Sequence, residues 1–473
     1  MEKTENIKLG EIKAKLKAAF IGNDNSLLTD LFEDYYDADI VEALEDTEEL
    51  DHAFKMFEFF DSKYQAKLFE LLSSELKEIV IENLSLKSLG ELFEKVPSDE
   101  IVEILEDVDD SSAKKVLKAI SKESRDDINE ILKHADDSVG SIMSVDFIAL
   151  NEDWTVKRCI EEIENNLDSL KDVEEFYVVN DYNVLVGRLE AKTLLFNKST
   201  KNLKDIMDDR VMSLKTTQDQ EEVVEMFRRY EFINMPVVDN EEILVGIVTV
   251  DDVLDVIEEE VTEDIYKLGG VTPSEDEYFK TGIFVLFRHR VMTIITVAIV
   301  SVLTSLLLLW VITANDSDTL KNNPAVFYGI TGSSIYLSVI PLIFMQSSVI
   351  TNRGISLKEI QKRDTLHVIG KEMTISLMNC LMLMGLAIIH SLIVELIFNT
   401  SGITEVLIDT VIITTGMFAA IFLVTLLATL IPLWTLKTQG REVAIPMPIA
   451  IAVIEIMTAA ILVGFITIVT QVL

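Results

Sequence analysis

Five long apolar segments fill the C-terminal part of this 473-residue chain. We place them at 291–313, 324–350, 373–398, 407–436 and 444–471. Each is long enough to cross about 30 Å of hydrocarbon as a helix, because a helix rises about 1.5 Å per residue. The segments therefore predict an all-α membrane domain of five spans over residues 281–473, embedded in a lipid bilayer.

Basic residues in the connections predict the orientation of these spans. Arg288 and Arg290 precede the first span, five basic residues lie between positions 353 and 371, and the fourth connection carries Lys437 and Arg441. The first connection has only Lys321, and the third has no basic residue. Because basic loops stay in the cytoplasm, we expect a multi-pass protein of the cell membrane with its N-terminus cytoplasmic and its C-terminus outside.

Charged side chains inside the spans are few, and each is costly in lipid unless its surroundings are polar. Glu455 stands alone in an apolar run, so we expect it to face a water-filled path or to be protonated. It is the one deep carboxylate that the sequence predicts for the membrane domain. His390 and Glu395 lie toward the outer end of the third span, and we interpret them as interfacial residues that reach the headgroups.

The net charge of −39 lies entirely before the membrane domain. Residues 281–473 hold ten basic and ten acidic residues, so the first 280 residues hold 31 basic and 70 acidic ones. Such an acidic block repels itself unless cations screen it or bind to it. It also argues against nucleic acid as a partner, because phosphates need Lys and Arg. The charge predicts a cytosolic part that senses cations.

Other function classes find little support in the sequence. Cys159 and Cys380 are far apart, which predicts free thiols in a reducing compartment rather than a disulfide framework. The charged N-terminus lacks the pattern of a signal peptide. No glycine-rich phosphate loop, zinc-ligand spacing or Ser/His/Asp arrangement stands out, so we expect that the chain is not an enzyme.

Residues 26–135 contain short amphipathic segments separated by Asp, Ser and Pro. Their apolar residues recur three and four positions apart, which predicts helices rather than strands. Ser98 and Ser111 are the expected N-caps of two of these helices. We predict an acidic helical domain over residues 1–137 that coils into a small superhelix.

An internal repeat follows this helical region. Residues 176–195 align without gaps to residues 235–254, and an Ile-Met pair precedes each copy, Ile142-Met143 and Ile206-Met207. Each copy reads as two β-runs around an Asp/Asn-rich turn, with a glycine in the second run and a helix after it. The repeat predicts two compact α/β units.

The repeat resembles a tandem pair of CBS domains, which we place at 138–200 and 201–257. The resemblance implies two units that fold as one module and often dimerise. CBS pairs commonly bind adenine nucleotides in their cleft. An adenine nucleotide is therefore a candidate ligand here, although the basic residues that would hold its phosphates are scarce near 249–252.

Residues 219–270 are similar to the second CBS domain and connecting helix of the MgtE family of magnesium channels. The order of domains agrees as well: an acidic helical domain, a CBS pair, a connecting (plug) helix, placed at 251–280, and five spans. In that family, magnesium bound at acidic cytosolic interfaces holds the connecting helices over a closed pore. The resemblance implies a homodimer that transports magnesium and opens when cytosolic magnesium falls.

Candidate regulatory ligands follow from the same resemblance. Eight acidic residues at matching positions are the expected magnesium ligands: Asp219, Glu221, Glu231, Asp252, Asp255, Glu260, Glu263 and Asp264. Oxygen ligands suit magnesium, a hard cation that keeps much of its water. The five acids after position 250 lie close together on one predicted helix, where their charges repel one another. The alternative interpretation of these five residues is a helix face exposed to solvent.

The candidate pore residues are Glu455, Gln346, Ser347 and Pro448. The family's pore aspartate, seven residues after a proline, falls on Glu455 after Pro448, while Gln346 and Ser347 are expected to offer oxygens to a hydrated ion. The family's Gly-Asn-x-Gly-x-Gln run is absent before Gln346. Because magnesium demands tight octahedral geometry, two alternatives stay open. One is a permease for another divalent cation, such as cobalt or manganese, and the other is a non-conducting, membrane-anchored sensor of magnesium or nucleotide.

Overall fold

The structure is a computed structural model of the chain and describes residues 2–22, 31–32, 34–45, 50–166, 175–273, 278–315, 324–398, 403–439 and 447–472. The chain divides into two compact units, Met1–Glu258 and Glu259–Leu473. The first contains short helices and two small sheets, and the second contains long apolar helices. The predicted multidomain architecture, with a helical domain, an α/β pair and apolar C-terminal helices, is confirmed.

The first unit begins with a series of helices around one apolar core. Five of its buried members are Leu44, Phe57, Phe69, Leu89 and Ile104. Most of the helices have only eight to eleven residues, and several begin at an Asp or Ser whose side chain accepts from the first-turn backbone. The described helices are α1 Glu2–Gly22, α2 Asp37–Glu45, α3 Leu50–Glu58, α4 Ser62–Glu70, α5 Ser74–Asn83, α6 Leu86–Phe93, α7 Ser98–Asp107, α8 Asp110–Ala119 and α9 Lys122–Leu132.

The two predicted N-caps are wrong. Ser98 is the first residue of α7, and its N–H donates to Oδ2 of Asp146 at 2.7 Å. Ser111 lies inside α8, because Asp109 caps that helix and accepts from the N–H of Ser112 at 2.8 Å. In both helices a carboxylate, rather than the predicted serine hydroxyl, accepts from an N–H of the first turn. A negative charge is favoured there, since the N-terminus of a helix carries partial positive charge.

Two similar α/β halves follow. The first has β1 Ala149–Asn151, α10 Val156–Asn166, β2 Glu175–Val179, β3 Leu185–Glu190 and α11 Ala191–Phe196; the second has β4 Leu214–Lys215, α12 Gln220–Tyr230, β5 Asn234–Val238 and β6 Leu244–Thr249. In each three-stranded sheet the central strand pairs parallel with the preceding strand and antiparallel with the following one. Asn183 and Glu242, at equivalent positions of the two turns, both have left-handed backbone, with φ of 58° and 62°. The repeat seen in the sequence is therefore a repeat of structure.

The segments that carry the Ile-Met pairs are exchanged between the two halves. Met143 precedes the first half but packs on Gly246 in the second, and Met207 precedes the second half but packs on Gly187 in the first. Backbone hydrogen bonds from each segment extend the sheet of the opposite half. A Cβ at Gly246 would lie 2.9 Å from the sulfur of Met143, and one at Gly187 would lie 2.7 Å from that of Met207. Glycine at both positions lets the crossing segments lie directly on the sheets.

The helix α13 Val250–Leu268 follows β6 and contains the boundary between the two units. It is shorter than the connecting helix predicted over 251–280. It ends at Gly269 and Gly270, and Gly270 has φ of +68°, a conformation that favours glycine and stops the helix.

In the rest of the second unit the described residues form five long α-helices: α14 Ile283–Asn315, α15 Pro324–Ser356, α16 Thr365–Phe398, α17 Ile403–Gln439 and α18 Met447–Val472. Among the described residues, four stretches are long and apolar enough to cross a membrane: Ile283–Val311, Ile335–Ser356, Lys362–Ile397 and Thr414–Thr438. The matching stretch of α18, Pro448–Ile461, is shorter, so the fifth span stays a prediction.

The first four predicted spans lie inside longer helices, whereas the fifth, predicted over 444–471, begins before α18, at residues outside the described part of the chain. The difference matters most in α14, where Arg288 and Arg290 belong to the helix and do not precede it. Helix α17 packs against α15, α16 and α18. The core between them is apolar, with Val339, Ile343, Ala420 and Val424 buried.

Candidate functional site

Three of the predicted regulatory acids lie at the two ends of α12. Asp219 caps the N-terminus of this helix and accepts from the N–H of Glu221 at 2.9 Å. Glu231 ends the helix in a left-handed conformation with φ of 56°. A helix of 11 residues is about 16 Å long, so Glu231 lies far from the other two. The side chains of all three residues are exposed.

The other five predicted ligands lie along α13. Asp252 lies in the first turn, where its Oδ2 accepts from the N–H of Thr249 at 2.7 Å and from the hydroxyl of Thr249 at 2.8 Å. Glu263 pairs with Lys267 one turn later. Asp255 and Asp264 are exposed, while Glu260 is half-buried.

The structure does not bring these eight acids together into a metal centre. Among the described residues, no group of three or more His, Cys, Asp or Glu side chains is placed to hold a metal ion.

Glu455 lies on the exposed side of α18. Its neighbours on that side are apolar: Val453 is 50% exposed and Ile456 is 71% exposed. The opposite side of the helix packs into the core, with Ile454 and Thr458 buried. Pro448 lies in the first turn of α18, where the missing backbone donor costs little. The structure thus presents a carboxylate on an otherwise apolar, uncovered helix face.

Gln346 and Ser347 lie near the end of α15 and are buried. Nε2 of Gln346 donates to the carbonyl oxygens of Gly270, at 2.7 Å, and of Arg290, at 3.3 Å. The hydroxyl of Ser347 lies 3.4 Å from Nη1 of Arg290. These two predicted pore residues therefore contact the segment after α13 and the helix α14.

A fully buried ion pair joins α14 to α16. Nη1 and Nη2 of Arg290 donate to the two carboxylate oxygens of Glu372, each at 2.7 Å. The hydroxyl of Tyr278 donates to Oε1 of Glu372 at 3.1 Å. Burial raises the pKa of Tyr278, so this hydroxyl keeps its proton and can act as a donor. The ammonium of Lys371 donates to the backbone carbonyl of Tyr278 and lies 4.5 Å from the centre of its ring.

Sequence reasoning missed this ion pair. The sequence places Arg290 before the first predicted span, beside Arg288, and Glu372 follows Lys371 at the end of a basic stretch. The expectation that Glu455 is the one deep carboxylate of the membrane half is therefore wrong, because Glu372 is 0% exposed. Helix α14 begins at Ile283, eight residues before the predicted start of the first span. The apolar residues between 283 and 287 are the sequence signal that could have placed Arg290 inside this helix.

The interfacial interpretation of His390 and Glu395 is also wrong. His390 is buried, and its Nε2 lies 2.7 Å from the hydroxyl of Ser305 on α14. Glu395 is buried as well. Nearby, the hydroxyl of Thr410 donates to the hydroxyl of Ser391 at 2.7 Å. His390 thus lies in a polar contact between α14 and α16, and a second polar contact joins α16 to α17.

The first half of the chain matches two domain families. The MgtE intracellular N domain matches residues 35–137, and the CBS domain matches residues 139–198 and 203–259. The resemblance stated from the sequence is confirmed for these domains.

Curated relatives agree with these matches. The chain is similar to the magnesium transporter MgtE of Thermus thermophilus, with 30% identity over 258 residues that cover 54% of this chain and 55% of that protein. The magnesium transporter MgtE of Bacillus subtilis is 26% identical over 289 residues, which cover 60% of each protein. The chain thus spans little more than half the length of these relatives. Both are named transporters rather than enzymes, in agreement with the sequence prediction.

A solved structure shares the fold of the first unit. The soluble part of a magnesium transporter is 26% identical and superposes with a TM-score of 0.50, covering 53% of this chain and 99% of that one. The apolar helices and the transporter relatives together indicate a membrane protein.

Proposed function

We propose that the chain is a magnesium channel closed by cytosolic magnesium, because residues 35–137 match the MgtE intracellular N domain, residues 139–198 and 203–259 match the CBS domain, and curated relatives are magnesium transporters. The first unit is the sensor and the second is the pore. The N-terminus is cytoplasmic and the C-terminus lies outside the cell, as the basic connections favour. The adenine nucleotide at the CBS pair remains a candidate ligand of the sensor.

Glu455 is the observation that carries the proposal. Its carboxylate lies on the uncovered side of an apolar helix, next to the exposed Val453 and Ile456. A carboxylate in contact with lipid is costly, so this face needs a polar cover. A second copy of the chain, packed through the same face, would enclose two such carboxylates around a hydrated path. We therefore propose a homodimer with Glu455 in its pore.

Magnesium suits this path because it sheds water reluctantly. A carboxylate can attract the hydrated ion without replacing its water shell. Gln346 and Ser347 are proposed to offer further oxygens, and Pro448 to set the start of α18.

Regulation is proposed to act through the eight acids of α12 and α13. Within the described part of one chain they form no complete metal site, so we propose that magnesium binds where acids of different elements or subunits meet. Repulsion between these carboxylates falls when a divalent cation lies among them. If the closed state brings them closer than the open state, magnesium shifts the population toward the closed state.

Divalent flux into liposomes tests the pore proposal. We expect the wild-type protein to carry magnesium when the magnesium concentration on the cytosolic side is low. Glu455→Gln should lose most of that flux, because the charge that attracts the cation is gone. Glu455→Asp is the matched control, since it keeps the charge and shortens the side chain by one methylene, and it should conduct. Equal flux in wild type and Glu455→Gln would contradict the role of Glu455.

The side chain of Glu455 is one methylene longer than that of the family's pore aspartate. This difference favours a second candidate function, a permease that prefers another divalent cation. Cobalt and manganese compete with magnesium in the same assay. Stronger competition by either ion in wild type than in Glu455→Asp would favour that alternative.

A further inference from the structure

The connecting helix α13 ends in a tight turn at Gly269 and Gly270. The N–H groups of residues 269–271 donate to carbonyl oxygens of the last helical turn at 2.9–3.0 Å. Gly270 has φ of +68°, and a Cβ there would lie 2.9 Å from Cγ2 of Thr293. Both the backbone conformation and the lack of space therefore require glycine at this position.

Side chains of two membrane helices hold this turn through one carbonyl group. The carbonyl oxygen of Gly270 accepts from Nε2 of Gln346 at 2.7 Å and from Oγ1 of Thr293 at 2.7 Å. Gly269 packs on the same helix as Gln346, because a Cβ at Gly269 would lie 3.3 Å from Cβ of Val349. The turn is thus in direct contact with α15.

These contacts also fix the orientation of the Gln346 amide. Its Nε2 donates to two carbonyl oxygens, those of Gly270 and Arg290. A flipped amide would point its own oxygen at both of them, which excludes the flipped form. The side-chain oxygen Oε1 therefore points away from the turn, and it is buried with no hydrogen-bond partner among the described residues. Such an oxygen can accept from a water of a hydrated cation.

The backbone carbonyl of Arg290, which supplies the second acceptor, belongs to a residue with little freedom. Its guanidinium is held by Glu372 through two hydrogen bonds. The movable partner of Gln346 is therefore the turn.

We propose that Gly270 is a positioning residue for Gln346: in the closed state its carbonyl group holds the amide with Oε1 buried, and displacement of α13 frees the amide to turn this oxygen to the ion path. This inference rests on the proposed function, because Gln346 is a proposed pore residue. It adds the physical link through which the connecting helix acts on the pore, a hydrogen bond from α15 to the turn that ends α13.

Substitutions at the turn test this link. Gly270→Ala strains the backbone and pushes against Thr293, so we expect the magnesium concentration that halves the flux to shift by about tenfold, a usual size for coupling between two sites. Thr293→Ser removes the obstructing methyl group and keeps the hydroxyl. It should behave as wild type alone and recover part of the shift when combined with Gly270→Ala. Misfolding alone would lower flux at every magnesium concentration without moving this midpoint, and an unchanged midpoint in Gly270→Ala overturns the inference.

A cross-link provides a readout that does not depend on flux. The 3.3 Å between the two Cβ positions is close to disulfide geometry, so Gly269→Cys/Val349→Cys should form a disulfide under a mild oxidant that takes up the two electrons released. The native thiols should interfere little, because Cys159 and Cys380 are buried and burial raises the pKa of Cys159 to about 11. Leu268→Cys/Val349→Cys is the control pair, since Leu268 is 78% exposed.

We expect magnesium to speed formation of this disulfide by about tenfold over a chelator, and the locked protein to conduct only after reduction. A rate that is the same with and without magnesium overturns the inference, as does full flux through the locked protein. The two proposals can fail separately. If the wild-type protein carries no divalent cation while the rate of disulfide formation still depends on magnesium, the contact between the turn and α15 is supported and the channel proposal fails.

Discussion

At the scale of single residues, the Arg290–Glu372 pair dominates the membrane half. The two side chains are 2% and 0% exposed, and two hydrogen bonds join them. Through Tyr278 the pair also holds the segment that precedes α14. The desolvation of two buried charges nearly cancels their attraction, so such a pair adds little stability compared with an apolar pair. Removing one partner, however, leaves an uncompensated buried charge.

We therefore predict that Glu372→Gln lowers the stability of the second unit by about 3–5 kcal/mol, because Arg290 stays charged and buried. The matched control is the double variant Arg290→Met/Glu372→Met, which removes both charges and should regain most of the loss. Thermal unfolding of the purified protein in detergent measures both. A double variant that is less stable than Glu372→Gln would contradict this account.

Sequence reasoning found Glu455 but not Glu372, and the reason is local context. Glu455 stands in a long apolar run, where any carboxylate is conspicuous. Arg290 and Glu372 each have a charged neighbour and lie near helix ends, which is typical of loop residues. What makes them a pair is a contact across 82 positions of the chain, and no local pattern reports it.

At the scale of elements, the exchange of the Ile-Met segments makes the two α/β halves one module. The sequence showed the repeat, its glycines and the two Ile-Met pairs, and all of them are structural features. It did not show that Met143 packs on Gly246 and Met207 on Gly187. A methionine packed on the glycine of its own half would fit the sequence pattern equally well, because each half offers an equivalent methionine and glycine.

We predict that Gly246→Ala destabilises the first unit by about 1–3 kcal/mol, since its methyl group would meet both the side chain of Met143 and the carbonyl oxygen of Ser144, at 2.9 and 3.0 Å. Gly10→Ala is the control, because a Cβ at Gly10 meets nothing within 4 Å. It should be neutral or stabilising by about 0.5–1 kcal/mol, since alanine favours helices. Chemical denaturation checks both, and equal effects would argue against close packing at Gly246.

Helix caps show a similar limit of local reasoning. The N-cap position of α7 is Pro97, and the carboxylate that accepts from the N–H of Ser98 belongs to Asp146, 48 positions away. A search for Ser or Asp beside the helix start cannot find it. The existence of the helices was predictable because their apolar periodicity is a property of the segment itself.

At the scale of the whole molecule, the exposed face of α18 and the charge of the first unit belong to one proposed mechanism. The homodimer proposed through α18 would give Glu455 a polar surrounding. The −39 net charge, carried by residues before the membrane half, gives magnesium a large electrostatic effect on the sensor.

We predict that Ile456→Cys forms a disulfide between two copies of the chain in membranes under a mild oxidant that takes up the two electrons, because Ile456 is 71% exposed on the face that carries Glu455. Ile454→Cys is the control, since Ile454 is 3% exposed and packs within its own subunit. Non-reducing electrophoresis separates monomer from dimer. Equal cross-linking at both positions, or none at Ile456, would contradict a dimer through this face.

In the proposed mechanism, the acidic first unit closes a magnesium pore as cytosolic magnesium rises. The most direct measurement is the flux of magnesium through the reconstituted wild-type protein while magnesium on the cytosolic side is raised at constant ionic strength. We predict measurable flux at low magnesium that falls steeply as the acidic sites fill, and no such fall when sodium replaces the added magnesium. Flux that is independent of cytosolic magnesium, or no flux at any concentration, would contradict the account.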